Sequence, residues 1–426
     1  MRKGLLACVT TLLAGAGAAL AQGPAPVPVA PAIEDRSSIL TLPSSQPDGN
    51  VRVIEAPVHT PGRFYADAEY LLWFSRGDKL PPLITSGGPA DVATTASLGQ
   101  PNTVVLFGDK DVNGEARSGI RVRAGLWLND EQAVGVEADG FLLQRLGAGG
   151  TFPPSGLLLG RPFVNPAIDP LFGNPETALL LASNGLFTGG ASVSTSNTFW
   201  GVELNGRFGL TGNSWYRADL LAGFRYVSLG EGLNVGSTVT ALPDGLVTFQ
   251  GSPVLAPASV AVLDSFRTRN DFYGAQIGTV VEFQKGMWFA DWRALLAAGV
   301  VRQSLTISGA TSLITPTDIT TVPGGLLAQA SNIGRFARNE FGIVPETGLS
   351  VGCQVASFLR VYAGYSVLYM RQDVLRPGTS IDRSVQVTQI PSLSPAPTGT
   401  ETLPGVILRN VDYWVQGVHF GVELTF

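Results

Sequence analysis

Apolar and polar residues alternate along Gly62–Phe74, GRFYADAEYLLWF. Phe64, Ala66, Ala68, Tyr70, Leu72 and Phe74 fall on one face, while Arg63, Tyr65, Asp67 and Glu69 begin the other, which continues in Leu71 and Trp73. A period of two predicts a β-strand, because successive side chains point to opposite faces. The run is 13 residues long, whereas strands in soluble domains are usually roughly 5–6. The signature recurs down the chain. Ser118–Leu128 sets Ile120, Val122, Ala124 and Leu126 against Arg121 and Arg123; after the turn Asn129–Glu131, Val134–Arg145 sets Val134, Val136, Ala138 and Leu142 against Glu137 and Asp139. Phe199–Leu210 and Trp215–Ser228 form a second such pair about Gly212-Asn213, and Phe272–Gln284 and Met287–Val301 a third about Lys285-Gly286. Phe341–Val351, with Pro345 in its middle, and Phe358–Met370 make the fourth, and Asn410–Phe426 stands last. A proline removes a ladder donor, so a bulge is expected at Pro345.

The pattern predicts ten strands, with four tight turns alternating strictly with long Gly/Pro-rich connections that end near Gly114, Ser196, Arg269 and Ala337, and a last one before Asn410. Strand-like pieces at Thr238–Thr240 and Leu246–Phe249 leave twelve as the alternative. Short turns at one end, long loops at the other and two-faced strands are the pattern of an all-β, closed antiparallel transmembrane β-barrel of the bacterial outer membrane, with short periplasmic turns and long outer loops. A soluble sandwich can alternate too, but it has no need of this strict interleaving.

Met1–Ala21 reads as a secretory signal: Arg2 and Lys3, the apolar run Leu5–Leu13, and Ala19-Leu20-Ala21 as a cleavage site near Ala21. Residues 22–61 are Pro-, Ala- and Val-rich and cannot build a core, so they read as a periplasmic linker containing His59, and residues 62–426 as the barrel. Charged residues are 14% of the chain, against about 25% in an average soluble domain, and the net charge is −5. That gives no electrostatic case for nucleic acid. The two cysteines, Cys8 and Cys353, offer no metal cluster, and Cys8 lies in the leader.

The polar faces carry Asp67, Glu69, Glu137, Asp139, Glu203, Asp219, Glu282, Asp291, Glu346 and Glu423, and against them Arg121, Arg123, Arg207, Arg217, Arg225, Arg293 and Arg360. In a barrel these residues line the lumen. Either they pair across strands and fill it, or they line a water channel and tune ion selectivity. A ten-stranded ring lies close to the filled end of the range, and arginine suits bidentate pairing with carboxylates. Trp73, Trp127, Trp200, Trp215, Trp288, Trp292 and Trp414 all fall in predicted strands; interfacial girdles account for several, while Trp127 and Trp215 fall on the polar face. Phe426, with Leu424, Val422 and Phe420 at alternate positions before it, resembles the terminal signature recognised by barrel-assembly machinery. A hydrolase needs a histidine beside a nucleophile or acid. The two histidines are His59, in the linker, and His419, on a polar face, and no HExxH, GxSxG or phosphate-loop motif is present, so no enzyme is expected.

Glu69-Tyr70-Leu71-Leu72-Trp73 followed by Pro81-Pro82-Leu83-Ile84-Thr85-Ser86-Gly87 resembles the N-terminal motif of the putative beta-barrel porin seven family, with Phe74 where a second Trp is common. The resemblance implies an outer-membrane barrel with porin activity and supplies no catalytic or ligand residues. The expectation is passive passage of small solutes or ions, without a cofactor, in contact with outer-membrane lipid. The alternative is a non-conducting structural or adhesive barrel acting through its long outer loops.

Overall fold

The computed structural model describes residues 63–426 except 89–95, 155–157, 169–172, 174, 184 and 398. The leader, the linker with His59, and Cys8 lie outside the described residues.

Ten long strands follow one another: β1 (Phe64–Ser75), β2 (Arg117–Trp127), β3 (Val134–Leu143), β4 (Phe187–Gly212), β5 (Tyr216–Ala241), β6 (Ser259–Lys285), β7 (Trp288–Ile314), β8 (Gly334–Ala356), β9 (Leu359–Leu375) and β10 (Asn410–Thr425). Each pairs antiparallel with its neighbours in sequence, and β10 pairs with β1 from Tyr65–Thr425 to Ser75–Val415, so the pairing runs in a ring. Phe64 and Phe426 exchange backbone hydrogen bonds of 3.1 and 2.8 Å at this seam. Where all ten strands run side by side the ring leaves no exposed edge, so the backbone groups there find partners within the sheet. The ten-strand expectation holds. Thr238–Thr240 is the end of β5, and Leu246–Phe249 pairs with Ser252–Leu255 in a hairpin outside the ring.

The strands are longer than the alternation suggests. β4, β5, β6 and β7 run 26 or 27 residues, so stretches expected as loop, such as Leu229–Ala241 and Ser259–Arg269, are strand. The cause is an inversion of polarity. Near the tight turns, apolar side chains point outward and charged ones inward. Farther up β5, Leu229, Leu233 and Val235 point inward and are buried, while Gly232, Asn234 and Gly236 face out. In β7 likewise, Leu305 and Ile307 point inward and Ser304, Thr306 and Ser308 outward. A search for apolar-outward strands therefore stops where the pattern turns over.

Two further expectations are corrected. There is no bulge at Pro345: its register with β7 continues unbroken opposite Leu296, and pairing with β9 begins only at Glu346–Leu368, so the proline sits where one of its two neighbours has already departed. Trp215 lies in the turn before β5, exposed against Phe283 at a ring separation of 6.0 Å, not on an inward strand face.

The long connections fold into the upper half of the ring. Ile84–Gly87, Val104–Phe107, Leu158–Val164 and Glu176–Leu180 form a four-stranded antiparallel sheet. Ile84, Phe107 and Phe163 pack in one apolar core with the inward Leu233, Val262, Phe266 and Leu305 of the tall strands. Buried polar anchors tie it down. Asp264 accepts backbone N–H groups of Leu326 (3.0 Å), Leu327 (3.0 Å) and Ala328 (2.8 Å) and pairs with buried Arg161. Arg376, from the last connection, donates to both oxygens of Glu231 on β5 (2.8 and 2.7 Å) and to the carbonyls of Arg76 (2.9 Å) and Gly77 (2.7 Å). Beside it, burial pushes the Asp78 carboxyl up to about 6 against the pull of the Arg376 guanidinium. Replacing Arg376 with Ala would leave Glu231 uncompensated in a buried site, a change worth about 3–5 kcal/mol. The expected result for Arg376→Ala is a lowered unfolding midpoint and protease cleavage within the long connections; unchanged resistance would count against this anchor.

Candidate functional site

The inward face of the ring carries two layers. The lower one, nearer the tight turns, is charged, because the alternation that puts Phe64, Ile120 and Val136 outward puts Asp67, Arg121 and Glu137 inward. Arg123 on β2 meets Asp67 of β1 at 3.0 Å and Asp139 of β3 at 3.2 Å. These are neighbours in register. Others reach across the interior: Arg293 of β7 to Glu137 of β3 at 2.6 Å, Arg121 of β2 to Glu346 of β8 at 2.7 Å, and Arg225 of β5 to the same Glu346 at 2.7 Å. Arg225 also pairs with Glu203, and Arg207 joins Asp219 (2.7 Å) to Glu137 (3.4 Å). Arg217 takes Asp219 at 2.8 Å, and near the turn end Arg360 lies between Glu282 (3.0 Å) and Glu423 (3.3 Å). Glu69 accepts from Tyr362 at 3.1 Å and lies 3.9 Å from Arg121. Asp291 borders the same cavity, of about 70 Å³, which the charged side chains leave between them. That is room for a few waters at most.

Every inward charge named from the sequence therefore points into the ring, and the structure joins most of them in ion pairs. His419 is buried beside Ser350 (3.1 Å) and Ser366 (3.4 Å). Gly364 opposite it is needed for space, since a Cβ there would collide with the imidazole Nε2. Trp127 finds its explanation here: the guanidinium groups of Arg207 and Arg217 stand 5.0 and 4.3 Å from its ring centroid, within cation–π range. Below this layer a vestibule of about 530 Å³ opens at the turn end, lined by Trp127, Trp215 and Arg360 among others.

The second layer was missed. Directly above the charges, Leu71 and Trp73, Phe141, Phe199, Val227, Phe272, Val301, Val344, Leu368 and Tyr413 form one buried apolar cluster to which nine of the ten strands contribute. Phe199 of β4 stands 5.2 Å from Tyr413 of β10, and 5.3 Å from Phe141 of β3, which lies 5.7 Å from Trp73 of β1. Rings on strands that do not pair in the sheet, such as β4 and β10, thus meet inside the ring. The signal was present in phase: Glu69 is followed on its own face by Leu71 and Trp73, and Asp139 by Phe141 and Leu143. Above this layer the polar chain Tyr413–Arg117–Asn197–Glu231 spans from β10 to β5 through bonds of 2.9, 2.7 and 2.7 Å.

The sequence motif runs along this axis. Glu69 is in the charged layer, Leu71 and Trp73 in the apolar one, and Tyr70 and Leu72 point outward, Tyr70 donating or accepting with Ser118 at 2.8 Å. Pro81-Pro82 lead into the outer core at Leu83, where Thr85 is buried and donates to the carbonyls of Ala96 (2.7 Å) and Gly160 (3.2 Å) and Gly87 pairs with Leu158. Phe420 and Val422 face outward on β10 and Phe426 is exposed just beyond its end, with Leu424 half-buried between them.

A ring of two-faced antiparallel strands with a filled interior defines the class: an all-β barrel-type protein. The chain belongs to the family described as Putative beta barrel porin-7, which matches residues 65–426. Among solved structures it is similar to the outer membrane protease OmpT from Escherichia coli at 12% identity, over 86% of this chain and 98% of that one, with a TM-score of 0.37. It is also similar to the TodX monoaromatic hydrocarbon channel (9%, 86% and 91%, 0.23) and to a Pseudomonas aeruginosa FadL homologue (10%, 85% and 90%, 0.22). No curated protein matches the chain.

Glu346 compensates two arginines from different strands, so removing its carboxylate leaves Arg225 to Glu203 alone and Arg121 to its longer contacts with Asp139 and Glu69. For Glu346→Ala a loss of about 1–3 kcal/mol is expected, read as a lowered denaturant midpoint of the refolded protein. A midpoint within error of the parent would show that the pairs across the ring contribute nothing.

Proposed function

We propose that the chain is a bacterial outer-membrane β-barrel whose strand ring is a sealed anchor and whose working part is the folded outer half built from its long connections. Family membership supports the location, as does the outward apolar band from Trp288 to Val300 on β7. Those 13 positions at a tilt of about 45° match the thickness of a bilayer core. In lipid, only closed rings and helices satisfy the backbone internally. The observation that carries the sealed reading is the Phe199–Tyr413 contact in the apolar layer, which sits on a charged layer whose arginines are all ion-paired. Passive passage of small solutes is the second reading and is favoured by the family to which the chain belongs. It requires both layers to part. Ser350 and His419 lie enclosed within the charged layer, so we read the chain as working without catalysis.

The experiment is a planar bilayer containing refolded full-length protein, with folding checked by heat-modifiable gel migration. No stepwise conductance is expected at moderate voltage; regular steps from well-folded protein would overturn the sealed reading in favour of a pore.

A further inference from the structure

We propose that an arginine-lined cleft on the outward face of β6, β7 and β8 binds a phosphate-bearing lipid head group in the leaflet on the long-loop side. This rests on the outer-membrane reading above. The cleft has a volume of about 400 Å³ and is lined by Arg269, Asp271, Tyr273, Arg302, Ser304 and Arg335. A fourth guanidinium, Arg267, stands two residues beyond Arg269 on the same outward face.

The depth of the cleft follows from what lies beneath it. Trp200, Tyr226 and Tyr273, on the adjacent strands β4, β5 and β6, pack as tilted rings on the outward face with centroids 5.1 and 4.9 Å apart. Such an aromatic girdle marks the boundary between hydrocarbon and head groups. In register, Tyr273 lies opposite Val300, the last residue of the apolar band on β7, and the next outward position there is Arg302. Two residues of strand are about 7 Å. The guanidinium groups therefore begin where the aromatic belt ends, at the level of lipid phosphates.

Their charge is not spent internally. Asp271 lies opposite Arg302 in register, but its carboxylate accepts from Arg269 (2.9 Å), Tyr226 (2.8 Å) and Ser228 (2.7 Å). Among the described residues, Arg302, Arg335 and Arg267 have no ion pair or hydrogen bond, and all three are exposed. The contrast with the interior is sharp, where arginines are joined to carboxylates. Three guanidinium groups line the cleft with one engaged carboxylate and Arg267 stands beyond it, and planar guanidinium matches phosphate in a bidentate geometry that an ammonium does not. Asp271 positions Arg269 and ties it to the girdle, so the site is built rather than a chance scatter of surface charge.

The test uses the full chain in phosphatidylcholine nanodiscs carrying either diphosphoryl lipid A or the same glycolipid stripped of its phosphates. Lipid retention is read by native mass spectrometry, and folding by heat-modifiable migration. The parent is expected to retain the phosphorylated lipid preferentially. The double variant Arg302→Gln/Arg335→Gln is expected to lose roughly 30-fold of that preference, the effect of removing two charges at an anionic surface, while Lys285→Gln at the opposite end of β6 keeps it. Equal retention of both lipids by the parent, undiminished preference in the double variant, or an equal loss in Lys285→Gln would each overturn the site. Failure to insert into phosphatidylcholine at all would instead overturn the membrane reading on which it rests.

Discussion

A ring of ten strands encloses a space that side chains from opposite walls can just fill, and the rest of the structure depends on that constraint. Wider rings can leave their inward charges to water; narrow ones bring the walls within reach of each other. Here Arg293 on β7 touches Glu137 on β3, and Arg121 on β2 touches Glu346 on β8. Such charges cannot be stranded without a large penalty, so each strand's register is tied to that of strands it never pairs with. A slip of one residue would turn Asp67 and Glu69 outward and Ala68 and Tyr70 inward. The closing seam between β1 and β10 is specified by its backbone ladder, while the charges on those two strands pair with β2 and β9 on either side of it.

The second organising fact is that the tall strands serve two surroundings in succession. β7 shows Trp292, Leu296 and Val300 outward along its lower half and Ser304, Thr306 and Ser308 along its upper half, while its inward side changes from Asp291 and Arg293 to Leu305 and Ile307. One continuous ladder of hydrogen bonds therefore passes from an apolar-outside arrangement to an apolar-inside one. The upper half needs a core, and the connections supply it: Ile84, Phe107, Phe163 and Leu326 fill the concave side of β5, β6 and β7. The asymmetry of the ring follows. β1, β2 and β3 end after 10 to 12 residues, and the chain leaving them folds inward instead of extending the wall.

This explains what could be read from the residues and what could not. Ring, strand number, turn end and the inward charges were all legible, because alternation with a charged inner face leaves a signature local to each strand. The upper halves of β4 to β7 were not, since their alternation persists with its sign reversed and is hidden by small residues such as Gly232 and Gly236. Pro345 misled because a missing donor matters only on a side where a neighbour is present. The apolar layer was in phase with the charges at Leu71, Phe141 and Phe199, yet its meaning depends on which rings meet across the interior, and no local pattern encodes that. The cleft at Arg302 and Arg335 was hidden for the same reason: its residues come from three strands, and only register places them beside Tyr273.

The order of the layers bears on what the interior can do. Ion pairs in water contribute little, because solvent screens them; shielded from water, the same pairs are much stronger and much costlier to break. The layer built on Phe199, Phe141 and Tyr413 shields the charges from the outer side, and the core above it adds a further barrier. The network around Glu137 and Glu346 owes its strength to that seal. Opening a path wide enough for a hydrated solute would separate the aromatic rings and admit water among the charges, weakening pairs that join β2, β3, β5, β7 and β8. In this ring, the side chains that hold distant strands together are the same ones that fill its interior.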